Sequence, residues 1–131
     1  MKWHRLTLNP QSLENLYNIV PELESVDLFS INLNRESPSL EMSFDLPQFP
    51  DNPSPRWNEK CNTVQIKLIF WGVADFEAKG WHRNMKVKID MEKNEKALKV
   101  LIFNSEIDLM FSFSCNFVLV KNISAYINAI K

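Results

Sequence analysis

The sequence predicts a mostly β domain, in which an antiparallel sheet forms a sandwich or a strongly curved half-barrel with one short N-terminal α-helix. Apolar and polar residues alternate with a period of two in most stretches after Val26, as in strands with one buried face. Only one stretch, near the N-terminus, has the helical period. At 131 residues the chain fits one core, so residues 1–131 are assigned to a single domain.

The N-terminal residues predict a short extended segment and then the helix. Lys2–Leu8 is expected to be extended, and Asn9 followed by Pro10 has the pattern of an N-cap with proline at the first helical position. Pro21 is expected to end the helix. Between them an apolar stripe at helical spacing contains Leu13, Leu16, Tyr17 and Val20.

The next residues predict an antiparallel hairpin. In its first strand Phe29, Ile31 and Leu33 alternate with polar residues, and the sequence NRESPS (34–39) supplies the turn. The second strand alternates as cleanly, which places one apolar row on its inner face. That row contains Leu40, Met42, Phe44 and Leu46.

A proline-rich segment, Leu46–Trp57, follows the hairpin and holds four of the seven prolines. Each proline fixes φ and removes a backbone donor, so the segment is expected to cross the outside of the β-structure as a stiff connection. Loops on a rigid scaffold often carry function, and this one offers charged, amide and aromatic side chains. The candidate partner-binding residues are Asp51, Asn52, Arg56, Trp57 and Asn58.

The aromatic residues leave two interpretations open. Tryptophan is enriched in binding anchors, so Trp57, Trp71 and Trp81 with Phe49 are candidates for a binding surface. The alternative interpretation, which is favoured for any single Trp, is that these aromatic residues close the ends of the β-core.

Six further strands are expected after the proline-rich segment. Gly80 is the best flexible turn, Asn94 is expected to be a left-handed turn residue, and Ile89 is expected in the core. The terminal sequence ISAYINAI (123–130) is expected to form a short helix or irregular chain. The predicted strands are Val64–Phe70, Val73–Lys79, Met85–Met91, Leu98–Ile102, Ile107–Phe113 and Phe117–Val120.

Charge and composition exclude several function classes. Fifteen Lys and Arg against sixteen Asp and Glu give a net charge of −1, which argues against nucleic acid and anionic membranes as partners. Lys2 and Arg5 are not followed by an apolar stretch of secretory length, so a cytoplasmic location is expected.

The titratable residues show no catalytic or metal-binding pattern. His4, on the presumed first strand, and His82 are the only histidines, and each is expected to be structural or at the surface. Cys61 and Cys115 have no second Cys or His at metal-ligand spacing and are expected to be reduced, small buried residues. The sequence therefore predicts no enzyme activity, no metal and no cofactor.

Nearly the whole chain resembles the immunity protein 50 family of bacterial polymorphic-toxin systems. The order and spacing of five stretches together carry the resemblance, which implies a mostly β protein that neutralises a cognate toxin, encoded nearby, by stoichiometric binding. Residues 82–112 depart from the family pattern. The matching stretches are NPQSLENLY (9–17), VPELESVDLFSINLNRESPSLEMSFDLPQFP (20–50), PSPRW (53–57), VADFEAKGW (73–81) and ISAY (123–126).

The main alternative is an intracellular β-barrel carrier of a small apolar ligand, because a helix with several antiparallel strands also fits a closed barrel. Such a pocket needs polar anchors among the inward residues. The inward rows Leu40–Leu46 and Met85–Met91 contain none, which favours a filled core and a protein-binding function.

Overall fold

Residues 2–129 are described by the structure, a computed structural model. It contains β1 (Val26–Asn34), β2 (Ser39–Asp45), β3 (Thr63–Trp71), β4 (Ala74–Lys79), β5 (Lys86–Lys93), β6 (Leu98–Asn104), β7 (Leu109–Cys115) and β8 (Phe117–Tyr126). These eight strands pair antiparallel in one open sheet, in the order β4-β7-β6-β5-β1-β2-β3-β8. The predicted mostly β, antiparallel fold class is confirmed.

The sheet bends back on itself. β5 and β1 are joined only at the start of β1, where Val26 and Asp27 have partners, so two four-stranded halves meet at a narrow seam. β3 and β7 lie five places apart in the strand order, yet the ring centroids of Phe70 and Phe113 are 5.0 Å apart. This contact requires the two halves to face each other, as in the predicted sandwich or curved half-barrel.

The predicted inward rows of β2, β3, β5 and β6 form the core. Phe44 is fully buried and Ile89 is 4% exposed, which confirms both as core residues. Each fully buried side chain of this size contributes roughly 1.5–3 kcal/mol before entropy is counted. The largest fully buried side chains are Phe44, Phe70, Leu13, Leu40, Met42, Leu46, Ile66, Leu68, Ile102, Val26, Val64 and Val100.

The N-terminal residues differ from the prediction. Lys2–Leu8 is not extended, because Trp3–Leu6 forms a 3-10 helix and the buried Trp3 indole donates to the carbonyl of Pro21 at 2.8 Å. The α-helix, α1 (Gln11–Glu14), has about one turn instead of two. In a longer helix the Leu16 carbonyl would accept from the amide four residues on, but here it accepts from a residue of the proline-rich segment.

Asn9 does not cap the helix with its side chain. Its Nδ2 donates to the carbonyl of Val120 and its Oδ1 accepts from the amide of Val120, both at 2.8 Å. The preceding residue, Leu8, donates its amide to the Val118 carbonyl at 2.9 Å. The N-terminal strap (Thr7–Asn9) therefore binds the outer edge of β8, and the Asn9 amide group takes the place of a strand residue.

β1 is interrupted by a bulge at Phe29, between Leu28 and Ser30 in the pairing with β2. Phe29 therefore does not belong to the inward row, whereas Ile31 and Leu33 lie opposite Met42 and Leu40 of the inner row of β2. Phe29 is 70% exposed, Leu33 is 55% exposed and Ile31 is half-buried. A bulge adds one residue and shifts the side-chain alternation, which periodicity alone does not reveal.

The last strand is longer than predicted. β8 continues past Val120 to Tyr126, so a helix or irregular chain over 123–126 is wrong. The whole strand pairs with β3. Because β3 is largely buried, its backbone amide and carbonyl groups on that side need hydrogen-bond partners, and β8 supplies them. Ile130, the last residue of the predicted terminal segment, lies outside the described residues.

Left-handed residues occur at different turns from those expected. Gly80 has a φ of 82°, as the sequence suggested, whereas the left-handed non-glycine residues among 2–129 are Asp75 and Asp108, not Asn94. Asn94 makes its turn through its side-chain oxygen, which accepts from two following amides. Ile107 lies in a 3-10 turn just before Asp108, instead of opening β7.

Candidate binding surface

The proline-rich segment is fixed against the N-terminal residues. The Tyr17 hydroxyl donates to the carbonyl of Gln48 at 2.6 Å, and the amide of Asn52 donates to the carbonyl of Leu16 at 2.9 Å. Pro50 between these points is buried. The segment crosses the outside of the β-structure as expected, and hydrogen bonds hold it at Gln48 and at Asn52.

Asp51 and Asn52 are exposed, but both also hold the segment in place. Asp51 Oδ2 accepts from the amide of Asn18 at 2.9 Å, and Asn52 Nδ2 donates to the side-chain oxygen of Asn18 at 3.1 Å. Burial raises the pKa of the Tyr17 phenol well above its ordinary value, and the nearby charge of Asp51 raises it further. Tyr17 is therefore a neutral hydrogen-bond donor in this contact.

Arg56 and Asn58 lie on the outer turn of the segment, and both are exposed. The amide of Arg56 donates to Ser54 Oγ at 3.3 Å, and Asn58 Oδ1 accepts from the amide of Lys60 at 2.9 Å. Within residues 2–129 no carboxylate forms an ion pair with the Arg56 guanidinium. Its donors are free to bind a partner.

Trp57 is half-buried against Phe49, with ring centroids 6.2 Å apart in an edge-to-face arrangement. Two surface clefts lie on either side of Phe49. One, about 510 Å³, extends over Tyr17 and Ile19. The other, about 480 Å³, is lined by Trp57 and the prolines of the segment. Of the five candidate residues, Asp51 lines the first cleft, and Trp57 and Asn58 line the second.

The other tryptophans do not join this surface. Trp81 is 62% exposed and its ring lies 5.9 Å from that of Phe111, at the turn after β4. Trp71 is half-buried at the end of β3. Trp81 therefore contacts the buried Phe111 while most of its own surface is open to solvent.

A second concave surface, of about 470 Å³, lies across β4, β7, β6 and β5. Its carboxylates face the groove from the two outer strands, with Lys99, Leu101 and serines between them. Its acidic residues occupy the solvated strand positions that the alternating pattern indicates. They are Asp75, Glu77, Asp90 and Glu92.

The histidines and cysteines do not form a catalytic group. His4 lies in the 3-10 helix, not in a strand, and its Nε2 is 3.5 Å from a carboxylate oxygen of Glu14. Exposed His82 accepts a local backbone hydrogen bond. Cys61 and Cys115 are both free; Cys115 is buried as predicted, whereas Cys61 is only half-buried because it lies in the turn before β3.

Within the described part of the chain, no three His, Cys, Asp or Glu side chains lie close enough to hold a metal ion. None of the helices of residues 2–129 is long and apolar enough to cross a membrane.

The model of one protein family, described as Immunity protein 50, matches residues 9–126. The match includes the N-terminal strap from Asn9, the proline-rich segment and all eight strands. No curated protein and no solved structure matches the chain significantly.

Proposed function

Since this chain belongs to the immunity protein 50 family, we propose that it binds a cognate bacterial toxin and neutralises it by forming a stoichiometric complex. The family match over residues 9–126 is the observation that carries the proposal. We further propose that the protein acts in the cytoplasm, that the toxin is encoded nearby, and that inhibition needs no catalytic step.

The proline-rich segment is the proposed contact surface. Its backbone is restricted by proline and by the hydrogen bonds to Leu16 and Tyr17, so docking costs little conformational entropy. Arg56 offers a guanidinium that forms no ion pair with the residues from 2 to 129, and Trp57 with Phe49 offers apolar area. This combination of a rigid backbone, an arginine and an aromatic pair is typical of a protein-binding surface.

The carrier alternative is disfavoured by the packing of the interior. A carrier requires open volume between the two halves of the sheet. At the level of β3 and β7 that space is occupied by the ring of Phe113, which packs against the rings of Phe70 and Phe76.

The test is protection in cells and binding in vitro. The chain is co-expressed with the toxin domain encoded beside its gene, and wild type is compared with Asp51→Ala plus Arg56→Ala. The control is Glu95→Ala plus Lys96→Ala, which also removes one charge of each sign from an exposed turn. Because Asp51 also holds Asn18, Arg56→Ala is measured alone as well, and all variants are first shown to be folded.

We expect the variants of the proline-rich segment to lose affinity by at least roughly tenfold, about 1.4 kcal/mol, and the control to protect like wild type. Unchanged affinity of both variants would remove this segment from the interface. Failure of wild type to bind the neighbouring toxin would contradict the immunity function.

A further inference from the structure

Most of β1 has no strand partner on the side that faces β5. β1 is nine residues long, but only Val26 and Asp27 pair with β5, and the last contact is the amide of Leu28 with the carbonyl of Met85 at 2.9 Å. Beyond it β1 runs past the start of β5. Across residues 2–129, no backbone group pairs with the outer side of Phe29–Asn34, which we call the free edge of β1.

The pairing of the neighbouring strands shows which backbone groups point outward. The Leu46 amide donates to the Val64 carbonyl, next to β3. Every second residue of a regular strand directs its backbone groups to the same side, so Met42 and Leu40 also direct theirs toward β3. Ile31 and Leu33 lie opposite Met42 and Leu40, in pairs that do not exchange hydrogen bonds. The amide and carbonyl groups of Ile31 and Leu33 therefore point away from β2, toward the free side.

The side chains of the free edge are apolar and uncharged. Phe29 and Leu33 are 70% and 55% exposed, although they are large hydrophobic residues. The polar residues between and after them are Ser and Asn, and the stretch has no proline and no charge. Strand edges in monomeric proteins are usually blocked by charge, proline or a covering segment, and this edge has none of these.

The other strand edges of the same sheet are protected. On β8, the N-terminal strap occupies the edge at Val118 and Val120 through Leu8 and Asn9. On β4, the strand has only six residues, is broken at left-handed Asp75, and has charged residues along its length. Within residues 2–129, β5 beyond Ile89 also has no backbone partner on the β1 side, but it carries Asp90, Glu92 and Lys93. The edge of β1 is therefore the one that combines large exposed apolar side chains with the absence of charge.

We propose that the free edge of β1 accepts an extended segment of the cognate toxin as an additional β-strand. The inference rests on the proposed immunity function. Ile31 and Leu33 supply the backbone hydrogen bonds, and Phe29 and Leu33 supply apolar contacts. Because no residue from 29 to 34 is charged, the matching toxin segment is uncharged, with apolar side chains at alternate positions.

A second copy of this chain is a poorer occupant. A six-residue strand is about 20 Å long, so joining two such edges buries roughly a few hundred Å². Stable interfaces bury about 1,200 Å² or more. The bulge at Phe29 also shortens the regular stretch that two symmetric copies can pair. A toxin, in contrast, is not limited to this edge, because the proposed function gives it a second contact on the proline-rich segment.

The test uses the toxin domain encoded beside this chain's gene and two variants at one position. Leu33→Pro removes the outward amide and blocks strand pairing without breaking a bond to β2. Leu33→Thr is the matched control, because it removes most of the apolar side chain but keeps the amide. Binding is measured by calorimetry, and amide hydrogen exchange at Ile31 and Leu33 is followed in the free protein and in the complex.

We expect Leu33→Pro to weaken toxin binding at least tenfold more than Leu33→Thr does, at unchanged stability. The two outward amides should exchange fast in free wild type and slowly in the complex. Equal affinities of the two variants, or fast exchange in the complex, would overturn this inference and leave the immunity function standing. Failure of wild type to bind the toxin would overturn both.

Discussion

Replacing Asn9 with serine distinguishes two roles of this residue. If Asn9 acted as the helix N-cap, serine would replace it with little loss, because the two residues cap helices about equally well. In the structure the Asn9 side chain instead forms two hydrogen bonds with Val120, and the serine hydroxyl is too short to form both.

The expected loss follows from those two bonds. A typical hydrogen bond contributes about 0.5–1.5 kcal/mol net, so two bonds give about 1–3 kcal/mol. Asn9 is half-buried, and water reaching Val120 recovers part of this, so we expect the free energy of unfolding to fall by about 1–2 kcal/mol. At this chain length that corresponds to a Tm lower by roughly 3–8 °C.

Urea unfolding, followed by tryptophan fluorescence, measures the loss, and Asn9→Ala serves as the reference. Hydrogen exchange identifies its origin, because the Val120 amide should exchange faster while the α1 amides stay unchanged. If Asn9→Ser were as stable as wild type and only Asn9→Ala were destabilised, Asn9 would be a helix cap and the strap would contribute nothing.

Three further predictions follow from the core, from one glycine and from one tyrosine. Phe44→Ala and Ile89→Ala should each lower the free energy of unfolding by about 2–5 kcal/mol in urea titrations, and unchanged midpoints would mean that these side chains are not in the core. Gly72→Ala should destabilise the fold by more than about 1 kcal/mol, because φ is 73° and the new Cβ would overlap the Asn116 side chain; a thermal melt identical to wild type would contradict this. Burial, with the hydrogen bond and the charge of Asp45, raises the pKa of Tyr126 to about 12, so the stability that this neutral phenol provides should be present below about pH 10 and lost as the pH rises toward 12. As the pH rises from 10 toward 12, Tyr126→Phe should lose less stability than wild type does, and parallel pH profiles would refute the assignment.

The period-two patterns correctly predicted which residues face the core in strands that are free of bulges. The inward rows of β2 and β5, with Phe44 and Ile89, are right because one face of each strand is buried and the other is polar. In β1 the same pattern misled at Phe29, since a bulge changes which face a residue occupies and leaves no mark in the periodicity.

Contacts between distant segments explain the remaining differences. The stripe that predicted a two-turn helix is largely buried as expected, but the Leu16 carbonyl bonds to Asn52, and this competes with the second turn. Asn9 has the residue type of a cap, yet its partner is in β8. The proline-rich segment could be located from composition alone, whereas the way in which Asn18 holds Asp51 could not.

The N-terminal strap also sets the order of events as the chain is synthesised. Asn9 and Val120 are 111 residues apart, so the strap leaves the ribosome long before the strand that it binds. Until residues 117–126 emerge, β3 lacks one of its two neighbours and its fully buried row remains open. Contacts so distant in sequence also slow folding. A newly made chain can therefore complete this core only after β8 has emerged, and the interval before the strap closes is when it is most exposed to aggregation and proteolysis.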